Sequence, residues 1–355
     1  MFLVVYLTMS GELLKPQLSI TSYGGVGGQV SGSCHVLESR CGKKRNKIVI
    51  DCGITQGRED LSILYDYTKS SEDMVGEIWE GSEASVMTHY HADHGSGFPT
   101  AFAHGFKPTI HTTEITRKFI QQIWPHSVMV EDKGEAENCS YGFYEVKRAL
   151  AYTKSVEVFQ EMPITRDKNI SALFCLNGHI PGSSSIIVRE KLSGKNILFT
   201  GDIGRPNQSL TGGYNRYSSK YPYNIPIHVA IIESTCYLGK SVPLRERVSF
   251  LRKEILDTFA RGGNILMPCI GDRYMQILEM IHNSELPQDI KFFRDGPYLD
   301  MIYSAYDGLG AEYFTNRYGD NPFYYKTIAD SRSRFNLKNF SQIDKHVTSQ
   351  ANAKR

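Results

Sequence analysis

The sequence predicts an α/β protein. Apolar runs of strand length recur along the chain, and several end in an aspartate or histidine within a glycine-rich turn. One of them, Glu83–Thr88, leads through small residues into a helix. A helix-length run over 245–261 is closed by Gly262-Gly263 and followed by another apolar run. Glycine supplies the backbone conformation a helix stop needs, and strands interleaved with helices indicate the α/β class.

In chain order, the first of these strands is Ile48-Val49-Ile50, ending in Asp51-Cys52-Gly53. The second runs into Thr88-His89-Tyr90-His91-Ala92-Asp93-His94-Gly95-Ser96-Gly97. The third, Leu173–Leu176, ends in Asn177-Gly178-His179 before a Pro181-Gly182 turn, and the fourth, from Asn196, ends in Gly201-Asp202. A fifth, Val229–Ile232, closes on Glu233-Ser234-Thr235. Beyond it come the helix over 245–261, a strand from Gly262-Gly263 to Pro268, a helical run Gln276–His282, and a short strand Ile290–Phe293 before Asp295-Gly296-Pro297.

The segment 89–94 concentrates three of the chain's 11 histidines and an aspartate within six positions. Neutral imidazole and carboxylate are the donors a borderline cation such as Zn²⁺ prefers. Alternate strand residues face the same way, so His89 and His91 are expected to reach one ion. Asp93 and His94, past the strand end, are expected to turn toward a second. Taken alone, Asp51 reads equally well as an ordinary turn residue, and His179 and Asp202 read more readily as a satisfied loop histidine and a Gly-Asp turn.

His-x-His-x-Asp-His, followed in order by the His179 and Asp202 turns, is the signature of the metallo-β-lactamase superfamily. The chain resembles that superfamily over roughly residues 17–300, and Thr21–Gly28 with Val30–Cys34 resembles its opening hairpin. The resemblance implies a four-layer αβ/βα sandwich with metals at one edge. It implies His89, His91 and His179 as ligands of a first metal, Asp202 as a carboxylate bridging two metals, and Asp93 and His94 on the second. It also makes Asp51 a hydrogen-bond partner that sets the tautomer of a ligand histidine. The implied cofactor is Zn²⁺, two per chain, with the second site open to being incomplete.

Residues 229–237 and the helix–strand–helix that follow resemble the β-CASP branch, whose members process RNA or DNA. That implies Glu233 near the metals and an inserted, here abbreviated, β-CASP-like α/β domain. Pro268 and Gln276 fit the branch's pattern. Ile270 stands where it has Phe, Tyr274 occupies the Arg position, and Arg273 sits one position early. No Ser-x-His-x-Asp segment follows residue 300, where the only histidine is His346, so the general acid is unassigned. The chain is expected to be a truncated or divergent member. Catalytic roles fall to Asp93, Asp202 and Glu233, and substrate contacts to Ser234, Thr235, Arg273 and Gln276.

The chain's 355 residues allow a metallo-β-lactamase domain over 1–223, a partial β-CASP-like region over 224–330 and a polar tail over 331–355. Its 41% hydrophobic and 22% charged content is ordinary for a globular protein. A net charge of +2 gives no global basic field, so a nucleic-acid partner would need local patches. Candidates are Lys43-Lys44-Arg45, which also reads as a solvated hairpin tip, Arg117-Lys118, Lys253 and Arg273. Tyr214, Tyr217, Tyr221 and Tyr223 lie in a polar stretch and are candidates for base stacking. Seven cysteines without a Cys-x-x-Cys pair argue for a reducing compartment, cytoplasmic or, in a eukaryote, nuclear. Met1–Met9 is too short and uncharged for a signal or membrane segment.

The expected function is a zinc-dependent hydrolase, a ribonuclease acting through a metal-bound hydroxide, with single-stranded RNA or another nucleic acid as its partner. Two alternatives stay open: hydrolysis of a small-molecule thioester, lactone or lactam, and a non-catalytic place in a nucleic-acid-processing complex. No membrane association is expected, and homo-oligomerisation is left open.

Overall fold

The computed structural model describes residues 4–7, 16–24, 32–54, 71–132 and 141–206, and most of 208–306. Tyr217, Tyr223, residues 291–293, His346 and the tail after Ser331 lie outside the described residues. By its contacts the chain divides into two units. One is Met1–Pro206 with Gly213–Gly239; the other is Asn207–Gly212 with Lys240–Arg355.

In the first unit, seven strands form a sheet in chain order: β1 (Val4–Leu7), β2 (Gln17–Gly24), β3 (Cys34–Cys41), β4 (Lys44–Cys52), β5 (Ala84–Val86), β6 (Thr109–Thr113) and β7 (Thr153–Val156). β1 to β4 pair antiparallel, with β3 and β4 joined at Gly42-Lys43, a two-residue hairpin turn. β4 to β7 pair parallel, which requires crossovers. Those crossovers carry α1 (Ser71–Trp79), α2 (Ala92–Gly95), α3 (Phe98–Ala103), α4 (Glu114–Asp132) and α5 (Phe143–Ala151). Large side chains on these helices, among them Trp79, Phe98, Phe102, Phe119 and Trp124, are buried.

A second sheet has the order β12-β11-β10-β9-β8, from β8 (Glu161–Pro163), β9 (Ile170–Leu176), β10 (Ser184–Glu190), β11 (Lys195–Phe199) and β12 (Val229–Ile231). Its alternate residues Ile170, Ala172, Phe174, Ile186, Val188, Ile197 and Phe199 meet Leu18, Ile20, Leu37, Ile48, Ile50 and Val86 of the first sheet. The two sheets thus pack face to face around one core, the sandwich the sequence implied. Full burial of each large apolar side chain there stabilises by about 1.5–3 kcal/mol. On the other face of the second sheet, Leu173, Cys175 and Ile187 pack against Phe159, Leu198, Tyr221 and Ile225. β12 pairs parallel with β11, so residues on the far side of position 223 are integral to this unit.

The second unit contains α6 (Leu244–Ala260) and α7 (Asp272–His282). α6 occupies the expected helix, and α7 begins four residues ahead of Gln276. Ile255, Ile281 and Leu286 form a small core with Met267 and Ile277 packed on it. The strand expected from Gly262-Gly263 to Pro268 has no partner among the described residues, and of the strand expected at Ile290–Phe293 only Ile290 is described. Residues 263–268 join no ladder among the described residues, and Leu266 is 88% exposed. A strand needs a partner to satisfy its backbone groups, and none of the described residues supplies one. No described helix is long and apolar enough to cross a membrane.

Candidate metal centre

β4, β5, β9, β11 and β12 deliver their C-terminal ends to one edge of the sandwich, where the polar turns collect. The cross-sheet bond from Ser184 N–H to the Thr88 carbonyl, 3.1 Å, joins the two sheets there. Asp51 ends β4 with φ at 54°, a left-handed conformation that costs a non-glycine residue roughly 1–3 kcal/mol. Three hydrogen bonds hold it. Its Oδ1 accepts the Thr88 backbone N–H at 2.7 Å, and its Oδ2 accepts the Thr88 hydroxyl at 2.8 Å and His94 Nδ1 at 2.8 Å.

β5 is shorter than the expected Glu83–Thr88, and His89 and His91 sit in the loop beyond it rather than on alternate strand positions. The loop nonetheless brings them together. His89 Nε2 lies 3.1 Å from His91 Nδ1, and His91 Nδ1 lies 3.2 Å from His179 Nε2. Asp202 Oδ2 lies 3.4 Å from His179 Nε2 and 3.9 Å from His89 Nε2. One ligand atom from each of these four residues falls within 4.8 Å of every other.

The donor set fits a metal ion. Tetrahedral ligands about 2.0–2.1 Å from zinc stand about 3.3 Å from one another, close to the distances observed. Protons satisfy the cluster poorly, because His91 Nδ1 faces two imidazole nitrogens at once and a single N–H serves only one of them. Asp202 turns its other oxygen elsewhere: Oδ1 lies 3.3 Å from His94 Nε2, which is itself 4.0 Å from Asp93 Oδ2. The two Asp202 oxygens therefore face different side chains, Oδ2 the histidine cluster and Oδ1 His94.

Other residues hold these side chains in place. The Asn177 side chain accepts the His179 backbone N–H at 3.2 Å and donates to the Thr200 carbonyl at 3.0 Å, tying the His179 turn to the Asp202 turn. The Thr113 hydroxyl donates to the Gly182 carbonyl at 2.8 Å, fixing the Pro181-Gly182 turn. Gly201, at φ 53°, lets the Asp202 turn approach the Thr88 side chain, which a Cβ would meet at 2.8 Å. Glu233 braces the same turn: its Oε1 accepts the Ile203 N–H and its Oε2 the Thr235 N–H, both at 3.1 Å.

The electrostatics follow from burial and neighbours. Burial pushes the His89 pKa well down, helped by His94, His91 and His179, so its ring is neutral and ligand-ready. Burial also works against charge on His94 and Asp202, but their mutual hydrogen bond and the bond to Asp51 outweigh it. His94 is raised well above the usual histidine range, and Asp202 is held well below the usual carboxylate range.

The remaining sequence candidates are placed elsewhere or differently. Ser234 and Thr235 are exposed beyond Glu233. Arg273 and Gln276 belong to the second unit and bond to each other at 2.9 Å. Arg45 pairs with Glu38, Arg117 with Glu114 and Lys253 with Asp257, so these cations already have acidic partners. The Tyr221 hydroxyl donates to the Leu176 carbonyl, while Tyr214 is 40% exposed beside it along a 450 Å³ cavity. Thr88, Asn177 and Thr113 carry no signal in isolation; only the position of Thr88 against His89 hints at a role.

The profile of the metallo-β-lactamase superfamily matches residues 27–230, and the chain belongs to that superfamily. It is 29% identical over 272 residues to "Probable RNase MJ4" of Methanocaldococcus jannaschii, an alignment covering 76% of this chain and 57% of that protein. It is 25% identical over 253 residues to "Endoribonuclease ysh1" of Aspergillus fumigatus, covering 71% and 27%. It is 27% identical over 336 residues to "Transcription termination factor FttA" of Methanococcus maripaludis, covering 89% and 49%. The chain thus spans between about a quarter and three fifths of the length of these relatives.

Proposed function

We propose that this chain is a zinc-dependent ribonuclease that binds two ions and cleaves single-stranded RNA in a reducing compartment. The observation that carries the metal-hydrolase reading is the convergence of His89 Nε2, His91 Nδ1, His179 Nε2 and Asp202 Oδ2 at tetrahedral spacing. The choice of RNA rests on relatives named as ribonucleases. The reducing compartment is supported by Cys34, Cys41, Cys52, Cys175 and Cys269, all free thiols.

Bound at this site, zinc supplies Lewis acidity toward the scissile phosphodiester and a nucleophilic water at neutral pH. The protein's part is placement. His89, His91 and His179, with Asp202, would hold the first ion, and Asp93 and His94 would hold the second together with Asp202. Asp93 would accept the proton of the attacking water as its oxygen bonds phosphorus, the P–O bond to the ribose oxygen breaks and that oxygen leaves to be protonated from solvent. Glu233 keeps the Asp202 turn from shifting through its bond to Ile203.

The test is a labelled single-stranded RNA incubated with zinc-loaded protein, alongside nitrocefin and a thioester. Cleavage of the RNA alone, lost in Asp93→Asn, supports the reading. Turnover of a small ester or lactam with the RNA intact overturns it.

A further inference from the structure

Asp51 has a direct bond to only one of the two groups of metal-facing ligands. Its Oδ2 meets His94 Nδ1, whereas His89 is reached through Thr88. Thr88 Oγ1 lies 2.8 Å from Asp51 Oδ2 and 3.0 Å from His89 Nδ1. A hydroxyl has one proton, and a carboxylate can only accept. With that proton spent on Asp51, the bond to His89 needs Nδ1 to be the donor. Nδ1 then carries the hydrogen, and Nε2 presents a bare lone pair to His91, His179 and Asp202.

We infer that Thr88 is a positioning residue: its hydroxyl relays the Asp51 carboxylate to His89 and fixes the tautomer in which Nε2 faces the first metal position. The inference rests on the metal-binding part of the proposed function and not on RNA as substrate. One carboxylate thereby orients a ligand in each group, His94 directly and His89 through Thr88. The relay is closely confined. The Thr88 N–H bonds the same carboxylate, its carbonyl accepts the Ser184 N–H, and Gly201 packs on its side chain. These contacts hold the Thr88 side chain between Asp51 and His89. Removing the hydroxyl selectively releases His89 and leaves the bond between Asp51 and His94 in place.

Zinc titration against a chromophoric chelator, with no substrate present, tests this. Thr88→Val keeps the shape and loses the hydroxyl. It is expected to weaken one of the two zinc sites by about 10–100-fold, the usual effect of losing such a partner, and to leave the other unchanged. Thr88→Ser restores the hydroxyl and is expected to restore that affinity, whereas Asp51→Asn weakens both sites. Equal loss at both sites in Thr88→Val, or no loss at either, overturns the inference. Should Thr88→Val fail to fold, ¹⁵N-histidine NMR of the zinc-loaded wild-type protein decides instead. A proton on His89 Nδ1 with zinc on Nε2 supports the relay; zinc on Nδ1 overturns it. Failure of the RNA assay alone would leave these readouts untouched, so the two readings are tested separately.

Discussion

Asp202 links two parts of this edge, because one of its oxygens faces His179 and the other His94. Asp202→Asn keeps the shape but removes the shared negative charge. It is expected to abolish RNA cleavage and lower zinc affinity at both positions, as read by the same chelator titration. His35 carries a prediction of another kind. It is buried between the Ser22 hydroxyl, 2.7 Å from Nδ1, and the Ser33 hydroxyl, 3.3 Å from Nε2, and burial lowers its pKa from 6.5 to about 4. The unfolded chain takes up this proton first as pH falls. The stability that the neutral ring contributes is therefore fully present above pH 6.5 and lost as pH falls toward 4, by about 3 kcal/mol. Urea denaturation at pH 7 and pH 4.5 should show a steeper loss in wild-type protein than in His35→Gln. Equal losses would refute this.

At the scale of elements, the site is a set of strand ends, and its turns are held by backbone that tolerates little change. Gly178 follows β9 at φ 75°, and a Cβ there would lie 2.3 Å from the carbonyl carbon of Gly213. Backbone cannot swing aside as a flexible side chain does, so Gly178→Ala should cost at least about 2 kcal/mol. A fall in the denaturation midpoint checks this, and a neutral effect would contradict it. The elements also show what the sequence made legible. The His179 and Asp202 turns are legible as site candidates only through their order after the His89–His94 cluster, since each alone is an apolar strand with a polar residue at its end. The ligand geometry of His89 and His91 was expected for a different reason than the one observed: alternation along a strand was the argument, and a loop does the work. An apolar run after a glycine stop, as over 263–268, specifies no partner, and that segment has none among the described residues. The Thr88 relay was invisible, since a hydroxyl's bonding depends on residues 37 positions away in sequence.

At the scale of the molecule, the two-sheet core supplies the stability, and the metal-facing edge is assembled from polar side chains that bury charge. A ligand that binds only the folded state stabilises it by mass action, about 2.7 kcal/mol at a hundredfold excess over Kd. Zinc should accordingly raise the thermal midpoint by about 5–10 °C for a unit of this size, and EDTA should reverse the shift. An unchanged midpoint would argue against a preformed centre. The overall class was legible from composition and motif order, because superfamily membership rests on residues clustered within short segments. Substrate preference was less so. The candidate cations Arg45, Arg117 and Lys253 have acidic partners: Glu38 reaches Arg45 across the β3–β4 hairpin, while Glu114 and Asp257 are helix neighbours of Arg117 and Lys253.

The proposed centre holds two ions that share Asp202. Anomalous diffraction at the zinc edge from crystals of zinc-loaded protein measures this directly. The expected result is two peaks, one among His89, His91, His179 and Asp202 Oδ2, the other among Asp93, His94 and Asp202 Oδ1. A single peak, or none between those side chains, would contradict it.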